Sequence, residues 1–190
     1  MVSFSDKPIH FFAAADEWRA FLESEPDDGG VRLQLRKKSS SAPGITWQEA
    51  LDVALCYGWI DGQAGRFDDD YTLQAFTPRR KNSPWSQINR EHVARLIEAG
   101  LMRPAGQAEI DRAKADGRWD AAYRQKDAAP PDDLQAAIDA SPAAAAKWAT
   151  LTKQNRFAII FRTTTVKRAE TRERKIREFV AMLERGETLH

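Results

Sequence analysis

The sequence places three consecutive cations, Arg79, Arg80 and Lys81, in the segment Thr77–Trp85. Neighbouring positive charges repel one another, and an anion that binds between them relieves the repulsion. Prolines at positions 78 and 84 restrict the conformations that the segment must give up on binding. Arginine suits a phosphate group because its planar fork donates two parallel hydrogen bonds. The segment therefore predicts a site for an anionic partner, either a nucleic acid or a phosphorylated small molecule.

Two tryptophans and two lysines elsewhere in the sequence extend this prediction. Trp59 and Trp85 each offer a ring on which a base can stack, which contributes roughly 1–3 kcal/mol. The lysine pair at positions 37 and 38 follows a predicted strand and strengthens the site if the fold brings it alongside. The predicted ligand-binding residues are Lys37, Lys38, Trp59, Asp61, Gln63, Thr77, Arg79, Arg80, Lys81 and Trp85.

A solvated loop is the alternative interpretation of the same segment. Its arginines would then pair with the acidic turn Asp68–Asp70, and Trp85 would pack ahead of a helix that begins at Ser86. The residues alone leave both interpretations open.

Asp61 is the one candidate catalytic residue. It lies between glycine-containing turns, two residues after Trp59, and in a cleft it would act as a general base beside a substrate phosphate. The alternative is a turn carboxylate that accepts hydrogen bonds from nearby backbone N–H groups. Gln63 carries the same ambiguity without the proton chemistry.

Other reactive groups show no catalytic or metal-binding pattern. The histidines at positions 10, 92 and 190 do not stand at metal-binding spacing, and the chain has one cysteine, so we expect no metal and no cofactor. Motifs for phosphate loops and for serine nucleophiles are absent. Cys56 lies at the predicted end of a helix, where the dipole disfavours a thiolate, and we expect a small core residue.

The net charge of +1 conceals an asymmetry between the two ends of the chain. Residues 1–75 hold 7 Lys and Arg against 13 Asp and Glu, whereas residues 141–190 hold 11 against 5. A basic helix near residues 171–185 is therefore a second candidate surface, for an acidic protein partner, although glutamates at helical spacing can pair with its arginines.

No apolar run reaches the roughly 20 residues that cross a bilayer, and the N-terminal residues carry no export pattern. We expect a cytoplasmic location without membrane insertion.

Hydrophobic periodicity predicts the elements that position these residues. Strands are expected near residues 8–12, 31–38, 66–67 and 71–77, with helices after the first and second of them. A capping box, Thr46 with Glu49, begins the second helix, and Gly58 ends it. From Ser86 onward the pattern is helical. The sequence therefore predicts an α+β fold in which residues 1–86 form a small antiparallel sheet with two helices. Residues 87–190 form a helical part packed against it in one continuous unit.

Several motifs together resemble the YdeI/OmpD-associated family, also called bacteriocin-protection proteins. They are K-K-S-S, W-Q-E-A-L-D-V-A-L-C-Y-G-W-I-D-G-Q, Y-T-L-Q-A-F-T-P-R-R-K-N-S-P-W-S-Q-I-N, M-R-P-A-G and A-K-A-D-G-R-W-D-A-A-Y, with N-R-F-A-I-I-F and A-E-T-R-E-R-K-I near the end. The resemblance implies a non-enzymatic bacterial protein with a role in stress or antimicrobial-peptide tolerance. It supplies no catalytic residue and no cofactor.

Overall fold

The protein forms two compact units, Met1–Tyr123 and Arg124–His190. The structure is a computed structural model that describes residues 3–24, 26, 29–124, 128–166 and 168–189. Each unit has a hydrophobic core of its own. The sequence prediction divided the chain after residue 86, where the strands end. Two further helices that follow this position belong to the first unit.

The first unit contains a four-stranded sheet. Its strands are β1 (Ile9–His10), β2 (Val31–Arg36), β3 (Trp59–Arg66) and β4 (Tyr71–Pro78), in the order β1-β2-β4-β3. β1 pairs parallel with β2, and the other pairs are antiparallel. In β2 the apolar residues at positions 31, 33 and 35 are buried and alternate with half-buried polar residues, as the pattern predicts. β3 is much longer than predicted because it pairs along β4 on both sides of a bulge.

Among its described residues, the first unit also has a short 3-10 helix (Phe4–Asp6) and the α-helices α1 (Ala15–Glu23), α2 (Trp47–Cys56), α3 (Gln87–Glu98) and α4 (Pro104–Ala115). The predicted capping box is confirmed, since Thr46 accepts from the Glu49 N–H and the Glu49 carboxylate accepts from the Thr46 N–H. Ser86 caps α3 by accepting from the Asn89 N–H. Gly58 takes a positive φ of 75° after α2, which allows β3 to begin at once.

Aromatic side chains fill the core between the sheet, α1 and α2. The Trp18 indole packs edge-on against the rings of Trp59 and Phe76, at centroid distances of 6.0 and 5.8 Å. Its Nε1 donates to the backbone oxygen of Ala50, 3.1 Å away. This indole therefore joins α1 to α2 and to both long strands of the sheet.

In the described residues of the second unit, the regular elements are helices: α5 (Asp132–Asp139), α6 (Pro142–Thr150), α7 (Lys153–Thr164) and α8 (Ala169–Glu184). Ser141 and Thr152 cap α6 and α7. Arg172 of α8 binds the carboxylate of Asp133 through Nε and Nη2, at 2.6 and 2.8 Å.

The predicted α+β class is confirmed by the sheet of the first unit and the helices of both units. Among the described residues, no helix combines the length and apolar character needed to span a bilayer.

Gly106 of α4 is in close contact with the end of α2, and this predicts an unusual substitution effect. A Cβ at this position would lie 2.3 Å from the backbone oxygen of Cys56 and 2.6 Å from that of Leu55. Alanine gains about 1 kcal/mol in helix propensity, but overpacking against backbone costs about 1–3 kcal/mol. We expect Gly106→Ala to lower the free energy of unfolding by about 1 kcal/mol in urea titrations.

The exposed Ala108 of the same helix provides the matched control. Ala108→Gly should cost about 1 kcal/mol by propensity alone. A Gly106→Ala variant that is more stable than the wild type would show that α4 does not pack on α2 as closely as described.

Candidate anion-binding site

A cationic cleft opens beside the predicted segment. Its volume is about 860 Å³, which lies within the range of small-molecule sites. Four of the lining residues are cationic and none is a carboxylate. The lining residues are Ser3, Phe4, Lys7, Gly29, Gly62, Gln63, Ala75, Thr77, Pro78, Arg79, Arg80 and Lys81. Such a lining favours an anionic occupant.

The cleft lies on one face of the sheet, at the end where β4 leaves it. Ala75 and Thr77 line the cleft, whereas Phe76, which projects from the opposite face, is in the core. A bulge between Asp61 and Ala64 interrupts β3 and adds the side chain of Gln63 to the lining. Bulges commonly redirect side chains in this way.

The N-terminal segment supplies another wall of the cleft. The Lys7 ammonium donates to the backbone oxygen of Gly29. Gly30 approaches β4 so closely that a Cβ would lie 2.4 Å from Cγ2 of Thr77, and its φ is +76°. A glycine at this position therefore lets the start of β2 and the lysine come close to β4.

Arg79 is the interior cation of the site, with only 6% of its surface exposed. Its guanidinium stacks on the Trp85 ring, with Cζ 3.7 Å from the ring centroid. Nη1 donates to the backbone oxygen of Pro84 at 3.2 Å, and the backbone N–H donates to Gly58 at 2.9 Å. The loop that follows β4 is thus folded around a buried arginine.

The remaining donors of this pair have no hydrogen-bond partner. They are Nε and Nη2 of Arg79 and Nε1 of Trp85, all buried. Within the described residues, Arg79 forms no ion pair. Burial lowers the pKa of Arg79 to about 10, against the opposing charges of Glu109 and Asp61. Burying a guanidinium without a hydrogen-bonded counterion is costly, so this arrangement calls for an explanation beyond packing.

The structure brings five of the predicted binding residues to the cleft: Gln63, Thr77, Arg79, Arg80 and Lys81. Trp85 lies behind them, and its faces are occupied by Arg79 and by Trp119, whose ring centroid is 4.9 Å away. Trp59 is buried in the core against Trp18. Neither tryptophan presents the open ring face that base stacking requires, so that part of the prediction is corrected.

The lysine pair lies at the other end of the sheet. Arg36, next to Lys37, pairs with Tyr71 at the start of β4, about 20 Å of strand from Thr77 at 3.4 Å per residue. The Lys37 ammonium donates to the backbone oxygens of Asp68 and Asp69 at 2.6 and 3.0 Å. The expected approach of Lys37 and Lys38 to the basic loop is therefore not found.

The alternative interpretation paired the acidic turn Asp68–Asp70 with the arginines of the basic loop, but the structure gives this turn other partners. Arg66 pairs with Asp69 at 3.4 Å, and Asp68 accepts from the backbone N–H groups of Asp70 and Tyr71. The arginines of the basic loop do not reach it.

Asp61 belongs to the opposite face of the sheet from the cleft. It pairs with Phe76 in the ladder, and paired residues project from the same face. Its carboxylate accepts from Nε1 of Trp47 at 3.2 Å. Burial raises the pKa of Asp61, while this hydrogen bond and the charge of Arg79 act in the opposite direction.

His92 is a polar neighbour that sequence reasoning missed. Its Nδ1 lies 3.1 Å from the Asp52 carboxylate and 3.0 Å from Nε2 of Gln48. A protonated His92 would lower the pKa of Asp61. Trp47 and Gln48, adjacent at the start of α2, therefore hold Asp61 and His92. The only sequence signal was the capping box that begins α2.

Two more residues near the site, Tyr123 and Lys7, were not predicted from the sequence. Tyr123 lies near Asp61 and Arg79, and burial raises its pKa. Lys7 lines the cleft from a distant part of the sequence. Neither belongs to a motif, and only the fold brings them to the site.

Among the described residues, no group of three or more His, Cys, Asp or Glu side chains is placed to hold a metal ion. His190 lies outside these residues. Cys56 is buried, and burial raises the pKa of its thiol to about 11, which agrees with a core residue rather than a nucleophile.

Comparison with protein families gives two matches. Residues 10–109, slightly more than half of the chain, match a family described as a domain of unknown function (DUF8412). Residues 127–186 match the family described as bacteriocin-protection, YdeI or OmpD-associated. No curated protein and no solved structure shows significant similarity to the chain. The resemblance is thus confirmed in the second unit, whereas the basic loop lies in the domain of unknown function.

The raised pKa of Asp61 predicts a pH-dependent stability difference. A carboxyl whose pKa is higher in the folded state stabilises the fold below its unfolded pKa of about 3.9, and this stability is lost as the pH rises through the folded value. Asp61→Asn keeps an acceptor for Trp47 but does not titrate. We expect its free energy of unfolding, relative to wild type, to increase between pH of about 3 and about 6.

Urea titrations of both proteins across this range measure the difference. A constant or decreasing difference would contradict the environment described for Asp61.

Proposed function

This chain belongs to the DUF8412 family, and its residues 127–186 match the bacteriocin-protection, YdeI or OmpD-associated family. We propose that a small anionic ligand binds in its cationic cleft. The protein acts as a binding protein and not as an enzyme. The single observation that carries this proposal is the lining of the cleft, with four cations and no carboxylate. An anion gains from this potential before any specific contact forms.

A phosphorylated small molecule fits the cleft better than a nucleic acid does. Non-specific binding of single strands combines a basic groove with open aromatic faces, and both tryptophans predicted for stacking are buried. A volume of about 860 Å³ accommodates a small molecule. Arg80 and Lys81, both exposed, supply mobile charges at its rim.

The physiological role proposed here follows the description of the second unit's family. A ligand-binding protein of the bacteriocin-protection type would act in stress or antimicrobial-peptide tolerance. We propose a cytoplasmic location, where phosphorylated metabolites are abundant.

Catalysis by Asp61 is a second candidate function. It is favoured by the contacts that Asp61 of β3 and His92 of α3 make with α2. Trp47 donates to the Asp61 carboxylate, and the His92 imidazole lies within hydrogen-bond distance of Gln48 and Asp52. A carboxyl with a raised pKa beside an oriented imidazole is suited to acid–base chemistry. The earlier idea that Asp61 acts beside a phosphate in the basic loop receives less support, since the cleft lies on the other face of the sheet.

Protein binding by the basic last helix receives less support. In α8, Arg174 pairs with Glu178 at 2.6 Å and Arg177 approaches Glu173 at 4.0 Å. These pairs satisfy much of the charge within the helix itself.

A thermal-shift panel tests the binding function. Phosphate, pyrophosphate, sugar phosphates, nucleotides and short oligonucleotides are added to the wild type and to the double variant Arg80→Gln/Lys81→Gln. A ligand at 100 times its Kd stabilises the folded state by about 2.7 kcal/mol. We expect a phosphorylated small molecule to raise the Tm of the wild type by several degrees and the double variant to lose most of this shift.

Lys37→Gln/Lys38→Gln is the matched control, because it also removes two positive charges, but at the far end of the sheet. It should retain the full shift. If both double variants lose the ligand-induced rise in Tm equally, the rise depends on net charge and not on the cleft. If no anion raises the Tm of the wild type, the proposal is refuted. A shift by oligonucleotides of any sequence would replace the small molecule with a polymer.

A further inference from the structure

The unpaired donors of Arg79 and Trp85 belong to two side chains that are stacked on one another. Nε and Nη2 are the two nitrogens on one edge of the guanidinium, and both lack a hydrogen-bond partner. Nη1, on the other side, already donates to Pro84. The Trp85 indole on which the guanidinium stacks contributes a third unpaired N–H. Arg79 thus uses Nη1 and its stacked face for contacts within the protein, and the Nε–Nη2 edge is left without a hydrogen-bond partner.

This edge has a defined chemical preference. The Nε–H and Nη2–H bonds of an arginine run parallel and match two oxygens of a carboxylate or a phosphate. The pairing supplies the charge and the hydrogen bonds that the buried cation lacks. Asp61 and Glu109 lie close enough to stabilise the Arg79 cation, yet neither forms an ion pair with it.

We propose that Arg79 is the recognition residue of the cleft and binds a phosphoryl or carboxylate oxyanion of the ligand side-on through Nε and Nη2. Trp85 holds the guanidinium in place and donates a third hydrogen bond through Nε1. This proposal rests on the proposed binding function and assigns its selectivity to one buried residue. Arg80 and Lys81 attract the ligand through their charge, and other cations can replace them.

Access to the edge requires a local movement, because both nitrogens are covered in the structure. The turn at residues 80–84 directly follows Arg79 in the chain, and its members at positions 80, 81, 82 and 84 are exposed. It is closed by Ser83 N–H donating to the Arg80 oxygen and by Arg80 N–H donating to Ser83 Oγ, both at 2.9 Å. Arg118 also donates to the Ser83 oxygen at 2.7 Å. Exposed turns with few contacts open at low free-energy cost.

A comparison of two conservative substitutions tests the proposal. Arg79→Lys and Arg80→Lys each keep the positive charge and remove the planar fork. Binding of inorganic phosphate and of acetate is measured by calorimetry well below the unfolding midpoint, with potassium chloride at equal ionic strength as the reference. We expect Arg79→Lys to weaken phosphate binding about tenfold or more and Arg80→Lys to change it less than about threefold.

Trp85→Phe is the second variant, because Arg79→Lys removes a buried stack and can impair folding. Phenylalanine keeps the aromatic face but lacks Nε1. We expect phosphate binding about threefold to tenfold weaker, with the far-UV spectrum unchanged. This variant decides the question if Arg79→Lys does not fold.

The outcomes separate this inference from the function on which it rests. If the wild type binds no oxyanion in preference to chloride, both fall. If it binds phosphate and the Arg80/Lys81 double variant weakens binding, while Arg79→Lys and Trp85→Phe match the wild type, the function stands. In that case Arg79 and Trp85 are purely structural and their donors are satisfied by buried water.

Discussion

The stack of Arg79 on Trp85 is the interaction on which the site depends. It converts a loop of three consecutive cations into an ordered structure with one charge inside and two at the rim. The buried member bonds to Pro84 and Gly58, so the loop and the start of β3 are fixed relative to one another. A guanidinium that is desolvated by an aromatic face and left without a counterion is energetically unfavourable. The anionic ligand that we propose would supply the missing counterion.

The two faces of the sheet carry different polar groups, the cations of the cleft on one face and the Asp61 carboxylate on the other. On one face, β4 and the bulged β3 line a cleft with cations and amide or hydroxyl groups. On the other face, the Asp61 carboxylate accepts from Trp47 at the beginning of α2, and the next residue, Gln48, is paired with His92. Arg79 follows the end of β4, lines the cleft and interacts electrostatically with Asp61 and Glu109. Occupation of the cleft by an anion would therefore favour the neutral form of Asp61, which couples the two faces electrostatically.

Local signals in the sequence predicted much of the fold but only part of the site. The capping box, the alternation in β2 and the left-handed Gly58 depend on neighbouring residues, and each was correctly predicted. The Arg79–Lys81 run was found for the same reason. Trp59 and Trp85 were misinterpreted because exposure is set by tertiary packing, which no local pattern encodes. Lys37 was expected near the basic loop, but strand pairing places it beside the acidic turn. Lys7 lines the cleft from a segment that carries no motif.

The most direct test is the Nε–H resonance of Arg79 in a proton–nitrogen NMR spectrum, assigned by its absence in Arg79→Lys. A buried guanidinium exchanges slowly and should give a resolved signal. On titration with phosphate, the account predicts a saturable downfield shift of this resonance, as expected when an unpaired N–H acquires an oxyanion acceptor. An unchanged Arg79 signal, while resonances of exposed arginines move with phosphate, would contradict the account.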